Sequence, residues 1–428
     1  MLTAGSWSLP VVTVLPLELP PLPLNAPPLP RRFGRYVLFE FIGRGGMAEI
    51  YLARATTDLG ASRLCVVKQI IAEYASDPQF AEMLVYEAKV AAKLSHPNIV
   101  QVFDLGRGAL ESGGNDGLFI AMEYVEGFDL AALWRQCARA DVPLPREFAL
   151  RIVCEVLRGL EYAHRRLGPA GTPLGIVHRD VTPSNVLISF EGEVKLCDFG
   201  IARANILVGD VERKDDDALK GKAGYMSPEH ARGEVIDARA DIFAATILLW
   251  ELVHGKRLYQ RGGDRPSLLD QARAGEIPAL VPQEFPDVER LQAIIAKGLM
   301  FDREERYASA SLMLRDLERY TRQNDLVASP LRLGGWMFEN FGEALVEHRR
   351  ERERISERPN FEPTFESEVI PPEPPAWPEE ALAVQNAANL GRLKAIAAGQ
   401  SNARVWQLIA LVLMLVGVAM LLARRGHF

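Results

Sequence analysis

The chain has 428 residues, 48% of them hydrophobic, with 49 Lys and Arg against 56 Asp and Glu for a net charge of −7. That is ample apolar material for one large globular domain, or two small ones, plus tails. A nucleic-acid binder would show a basic face or stripe, and none is present. The four cysteines, Cys65, Cys137, Cys154 and Cys197, form no CxxC pair. That argues against a disulfide framework or a zinc site and fits a reducing compartment.

Residues 1–32 carry repeated prolines from Pro10 to Pro30. Proline fixes φ and removes a donor, so the stretch reads as a disordered or polyproline-like tail. It has no basic n-region and no clean apolar run, unlike a signal peptide. A proline-binding partner and a misassigned start both remain open for it. From Phe33 to about residue 125 the pattern is strand-like: "YVLFEFIG", "AEIYLARA" and "RLCVVKQII" alternate or run apolar between turn residues. One helical segment, "DPQFAEMLVYEAKVAAKL", interrupts them. The stretch Gly106–Gly117 reads as a surface loop. From about 128 to 322 the pattern becomes mostly helical, with "EFALRIVCEVLRGLEYAH" and "DIFAATILLWELVHG" as long apolar-periodic helices. The expected class is therefore α+β, a β-rich lobe followed by an α-helical lobe, over residues 33–324.

Residues 325–404 are expected to be a linker. Within it Trp336 to Arg354 reads as an amphipathic helix, and "FEPTFESEVIPPEPPAWPEE" as an extended acidic, proline-rich stretch. Residues 405–423, "VWQLIALVLMLVGVAMLLA", contain no charge. At about 1.5 Å of rise per residue, such a stretch spans the ~30 Å hydrocarbon core and reads as a transmembrane helix. Arg404 precedes it and Arg424 and Arg425 follow, so flanking charge gives no orientation. Residues 424–428 form a short tail.

The chemistry begins at "IGRGGMAEIYLAR". Gly43, Gly45 and Gly46 let backbone approach phosphates closely. A dinucleotide-binding loop needs a helix to open after its glycines, whereas "EIYLAR" alternates like a strand. The loop is therefore a flap between two strands. Ile42, Arg44, Met47, Ala48 and Ile50 belong to the same nucleotide-covering stretch, with Ala48 where a third glycine is usual. Lys68, ending "CVVK", can reach nucleotide phosphates, and Glu87 on the following helix is the candidate carboxylate to hold it. A single Lys or Glu is more commonly a solvated charge; the order relative to the glycine loop is what singles these out. "LFIAMEYVEGFDL" then reads as a last strand and hinge, with Glu123 and Val125 offering backbone groups to an adenine edge and Met122 behind it. "HRDVTPSNVL" and "KLCDFG" follow, and then "GYMSPEHARG".

Each tripeptide alone is a chance event; the ordered set is not. It resembles the bacterial eukaryotic-like (Hanks-type) serine/threonine protein kinases over roughly residues 36–322. The resemblance implies a two-lobed fold with ATP in the cleft, Leu187 on its floor, and Mg²⁺ held by Asn185 and Asp198. It implies Asp180 as the base that takes a substrate hydroxyl proton. It also implies a salt bridge between Glu229 and Arg306 and an anchor at Asp241. The helix glycine usual near that anchor is Thr246 here.

Two departures concern activity. The Lys usual two residues after the catalytic Asp is Thr182, while the Thr usual three residues before the Tyr of "GYMSPE" is Lys222. These positions face each other in the family, so the expectation is an exchange: Lys222 returns its ammonium to Asp180, and Thr182 accepts its hydrogen bond. The alternative is that Lys222 points to solvent and the enzyme is slow. Second, the segment between Gly200 and Ser227 has no Ser or Thr. Asp215, Asp216 or Asp217 could supply a fixed anionic partner for Arg179 in place of a phosphate, or form a plain solvated acidic loop.

ATP is cytosolic, so the catalytic lobes are expected inside, with the last helix as a tail anchor. Regulation is then expected from membrane location, homodimerisation or partners. The competing class is a membrane-tethered pseudokinase scaffold that binds nucleotide or protein without transferring phosphate. Thr182 and Ala48 favour it; the presence of Lys68, Glu87, Asp180, Asn185 and Asp198 favours an active kinase.

Overall fold

The computed structural model describes residues 21–23, 26–45, 48–56, 62–71, 74, 78–108, 117–168, 171–199, 222–260, 262, 265–278 and 285–356. The side chains of 78–80, 83, 86, 87, 344, 348 and 351–356 also lie outside the description. The chain divides into two compact units, Met1–Glu362 and Pro363–Phe428, and the second lies outside the described residues. So do the expected acidic linker and the apolar stretch 405–423. No helix among the described residues is long and apolar enough to cross a membrane.

The first lobe is a six-stranded antiparallel sheet. Its strands are β1 (Arg31–Phe33), β2 (Tyr36–Arg44), β3 (Ala48–Thr56), β4 (Ser62–Ile70), β5 (Val102–Gly108) and β6 (Gly117–Glu123), in the order β1-β2-β3-β4-β6-β5. Side chains alternate across it, as a period of two requires. Ile50, Leu52 and Val66 enter the main core, while Tyr51, Ala53, Cys65 and Val67 enter a separate cluster on the other face with Phe33, Tyr36 and Phe119. Helix α1 (Pro78–Ala91) interrupts the strands where the sequence placed it. All four cysteines are buried and unpaired.

The second lobe is helical around α3 (Arg146–His164) and α5 (Ala238–His254). Ahead of α3 lies α2 (Leu130–Ala140); the short α4 (Pro228–Ala231) precedes α5; α6 (Leu268–Ala274), α7 (Val288–Gly298) and α8 (Ala310–Gln323) follow. Helix α5 is apolar on every side and almost wholly buried, which marks it as the lobe's axis. Thr246 on it donates to Ile242 O at 2.7 Å. Its bulk is admitted because Gly298 of α7 faces it: a Cβ there would lie 2.2 Å from Thr246 Oγ1. Three short strands not foreseen as elements, β7 (Gly127–Asp129), β8 (Val186–Ser189) and β9 (Val194–Leu196), form a second sheet beneath the cleft. The helix expected from Trp336 is instead α9 (Pro330–Ser356), beginning a turn and a half earlier.

Candidate active site

The cleft roof is the β2–β3 hairpin, closed by Gly45 N donating to Ala48 O at 2.8 Å, with Gly43 opposite Ile50 and Arg44 opposite Glu49. It is a strand–turn–strand flap; Gly46 and Met47 at its tip lie outside the described residues. Ile42 packs against the core, and Ala48, Ile50 and Val66 are buried. Val66 pairs with Met122 and Cys65 with Glu123 across β4 and β6. The hinge leaves β6 at Glu123, whose carboxylate accepts from the buried Lys195 at 2.7 Å and from Gln101 N at 3.2 Å. Val125 makes no backbone hydrogen bond among the described residues.

Lys68 projects from β4 and its Nζ donates to Asp198 Oδ1 at 2.8 Å. Glu87 lies on α1, with its side chain outside the described residues. Asp198 holds a left-handed φ of 54° and Arg179 one of 66°. Such strain in non-glycine residues persists only where surroundings fix it, and here they do. Asp241 at the start of α5 accepts from His178 N at 2.7 Å, from Arg179 N at 2.8 Å and from His164 Nε2 at 2.8 Å. Burial alone would raise the Asp241 carboxyl, but His164 and His178 together hold it below its ordinary value. The His178 ring is buried, which pushes its imidazole down and keeps it neutral, and it bonds Cys197 O at 3.0 Å. One buried carboxylate thus pins the loop carrying Asp180, and one imidazole ties that loop to the residue before Asp198.

Asp180 is 7% exposed. Its carboxylate accepts from Asn185 Nδ2 at 3.0 Å and from Lys222 Nζ at 2.6 Å. The same Asn185 amide also donates to Asp180 O at 2.8 Å. The Asn185 Oδ1 atom is buried without a hydrogen-bond partner among the described residues, as is Thr182 Oγ1. So the Lys222 ammonium stands beside Asp180, while the hydrogen bond anticipated from it to Thr182 is not formed. Asn185 is tied to the segment before Asp198 by Cys197 N donating to Asn185 O at 3.0 Å, and an orphaned amide oxygen together with a carboxylate is the oxygen donor type of a hard cation that keeps waters and phosphate oxygens as its other ligands. The donor set of Asn185 and Asp198 therefore fits Mg²⁺. Leu187, on β8, is fully buried on the floor. The acidic trio 215–217 lies outside the described residues.

Below the floor, Arg306 grips Glu229 with both arms, at 2.6 and 2.8 Å, and both are buried. The profile of the protein kinase domain matches residues 36–316. The chain belongs to the protein kinase family. It is 37% identical over 325 residues to the tyrosine-protein kinase MasK of Myxococcus xanthus, covering 76% of this chain and 48% of that one. It is 36% identical over 286 residues to the serine/threonine-protein kinase PknB of Mycobacterium leprae, covering 67% and 43%. This kinase chain thus spans about half the length of the curated relatives it matches. Among solved structures, a Mycobacterium tuberculosis PknI kinase domain aligns with a TM-score of 0.51 at 27% identity, over 69% of this chain and all of that one.

Among the residues missed from sequence are Lys195 and His164, which hold Glu123 and Asp241, and the buried Asp129. Asp129 caps α2, accepting from Ala132 N at 2.6 Å, and stands opposite Leu187 in the β7–β8 register. Burial pushes its carboxyl up to about 6. An Asp immediately before the apolar run "LAALW" was the available signal.

Proposed function

We propose that the chain is an ATP-dependent protein kinase that transfers the γ-phosphate to serine or threonine hydroxyls of protein substrates. The observation that carries this reading is the buried Asp180 carboxylate between Asn185 and the Lys222 ammonium. Asp180 accepts the hydroxyl proton, and Asn185 holds its carboxylate in position. Lys222 supplies positive charge near the transferring group, in place of the usual lysine at position 182, which is the electrostatic contribution such a step needs. Lys68 orients the nucleotide phosphates. Asn185 and Asp198 would hold Mg²⁺, whose charge offsets that of the nucleotide phosphates. The flap from Ile42 to Ile50 excludes water above them, and Glu123 and Val125 position the adenine. Relatives named serine/threonine-protein kinases support the Ser/Thr preference. The absent lysine and a relative named a tyrosine-protein kinase favour, as a second reading, tyrosine as acceptor.

The uncharged run 405–423 is proposed as a membrane anchor, with the catalytic lobes on the ATP-rich cytoplasmic side. The deciding experiment is phosphate transfer by the full chain from labelled ATP with Mg²⁺, beside Asp180→Asn. General-base loss predicts a fall of about 10²- to 10⁴-fold in the variant, and phosphoamino-acid analysis identifies the acceptor. Nucleotide binding without transfer in the wild type would instead make the protein a tethered scaffold.

A further inference from the structure

The matched kinase domain ends at residue 316, yet α9, beginning at Pro330, packs on the second lobe. Leu333, Met337, Phe341 and Leu345 recur every four residues and are each no more than 9% exposed. That spacing lies on one helix face. The Phe341 ring meets Phe128 of β7 edge-on at 5.8 Å, and Trp336 meets Phe148 of α3 at 5.7 Å. At the first turn the backbones touch: a Cβ on Gly192 would lie 1.9 Å from Pro330 O, and one on Gly334 would lie 2.7 Å from Phe190 O. Fifteen residues later, Arg349 Nε donates to Glu126 Oε2 at 3.0 Å, and its Nη2 reaches the same oxygen. Glu126 follows Val125 in the hinge, and its carbonyl accepts from Phe190 N at 3.0 Å. Helix α9 therefore touches the hinge segment at Glu126, Phe128 just after it, and the β8–β9 turn that supports it.

We infer that α9 is a brace for the nucleotide hinge, docked by its apolar stripe and fastened by Arg349, so that nucleotide affinity depends on a helix outside the kinase domain itself. The inference rests on the reading of residues 123–127 as the adenine-binding hinge. An exposed ion pair is a weak fastener. The stripe supplies the docking energy through apolar burial, and Arg349 acts as a positioning residue that sets where the helix meets Glu126. Lifting α9 loosens the hinge without touching Asp180.

The test uses the full chain with Arg349→Ala and, separately, Gly334→Val, which wedges the first turn away from Phe190. Hydrogen exchange at the amides of 123–127 is measured without nucleotide, then ADP affinity by calorimetry and ATP kinetics. Arg349→Ala should speed hinge exchange and weaken ADP about two- to fivefold, the range open to an exposed pair. Gly334→Val should weaken ADP about tenfold, as expected when a coupled element is released. In both, KM for ATP should rise while kcat at saturation holds. Unchanged hinge exchange in both variants, or faster exchange with unaltered ADP affinity, overturns the brace. Faster exchange in the variants of a chain whose wild type binds no ADP keeps the brace and removes the nucleotide reading.

Discussion

Two ion pairs of the second lobe differ in what surrounds them. Arg306 and Glu229 are sealed: the guanidinium is fully buried, and besides the carboxylate it donates to Met300 O at 2.7 Å and Phe301 O at 3.0 Å. Lys222 and Asp180 sit at the cleft, with 18% and 7% of their side chains exposed. Beside them are two buried polar atoms without hydrogen-bond partners among the described residues, Thr182 Oγ1 and Asn185 Oδ1. A buried polar atom left unsatisfied is costly. The sealed pair has its polar groups satisfied, whereas the cleft pair has unsatisfied hydrogen-bonding capacity beside it.

The largest expected effect tests the sealed pair. Arg306→Ala leaves the Glu229 carboxylate buried without its partner and should cost about 3–5 kcal/mol of stability, read from denaturant unfolding. Activity per folded molecule, measured well below the melting midpoint, should stay close to wild type. Acid sharpens the point. Burial alone would raise the Glu229 carboxyl, yet Arg306 holds it below its ordinary value of 4.5. Its stabilising contribution is therefore fully present above about pH 4.5 and is lost as pH falls through the depressed folded value. Arg306→Ala should lose that acid-sensitive component. A catalytic defect at full stability would break the distinction between the two pairs.

The cleft pair should behave in the opposite way. Lys222→Ala should lower kcat about 10²- to 10³-fold, as loss of one preorganised charge does elsewhere, while KM for ATP changes little. An unchanged kcat would remove Lys222 from the chemistry. The reciprocal double change, Thr182→Lys with Lys222→Thr, puts the ammonium back on the catalytic loop across the same gap. It should recover most of what Lys222→Ala loses, whereas Thr182→Lys alone places two ammonium groups together and should be slower than wild type.

How much of this was legible follows from the range of the interactions. The six-stranded lobe could be read because alternation is local: "AEIYLARA" shows its two faces directly. The ordered motifs singled out Lys68, Asp180, Asn185 and Asp198, of which the structure pairs Lys68 with Asp198 and Asn185 with Asp180, and two departures at facing positions pointed to the Lys222–Asp180 contact across 42 residues. The β7–β9 sheet was not foreseen as elements, because strands of three or four residues carry too little periodicity. Helix α9 begins at Pro330, ahead of the Trp336 start read from sequence, and runs through Gly334 and Gly335, residues that locally disfavour a helix. Gly334 is tolerated because the β8–β9 turn leaves no room for a Cβ there, a fact of tertiary contact. The Arg349–Glu126 pair spans 223 residues, and no local pattern announces it.

The smallest effect concerns a carboxylate whose environment is the reverse of Glu229's. Asp129 is buried on β7 opposite Leu187, and burial outweighs the backbone bond from Ala132 to push it from 3.8 up to about 6. The folded protein therefore favours the neutral form. The stability contributed by that preference is fully present below about pH 3.8 and is lost as pH rises through about 6. Asp129→Asn keeps an oxygen that can cap α2 but does not titrate. Wild type and variant should be nearly equal near pH 4, and by pH 7 the variant should be the more stable, on the order of 1–2 kcal/mol once relaxation is allowed for. Denaturant unfolding at the two pH values reads the difference. A gap that does not change with pH would mean that the Asp129 carboxyl titrates in its ordinary range, solvated through the cleft. The contrast with Glu229 would then lie in access to water, because a guanidinium hydrogen-bonds one carboxylate directly, while the other is held by backbone amides with Arg135 acting only through its charge.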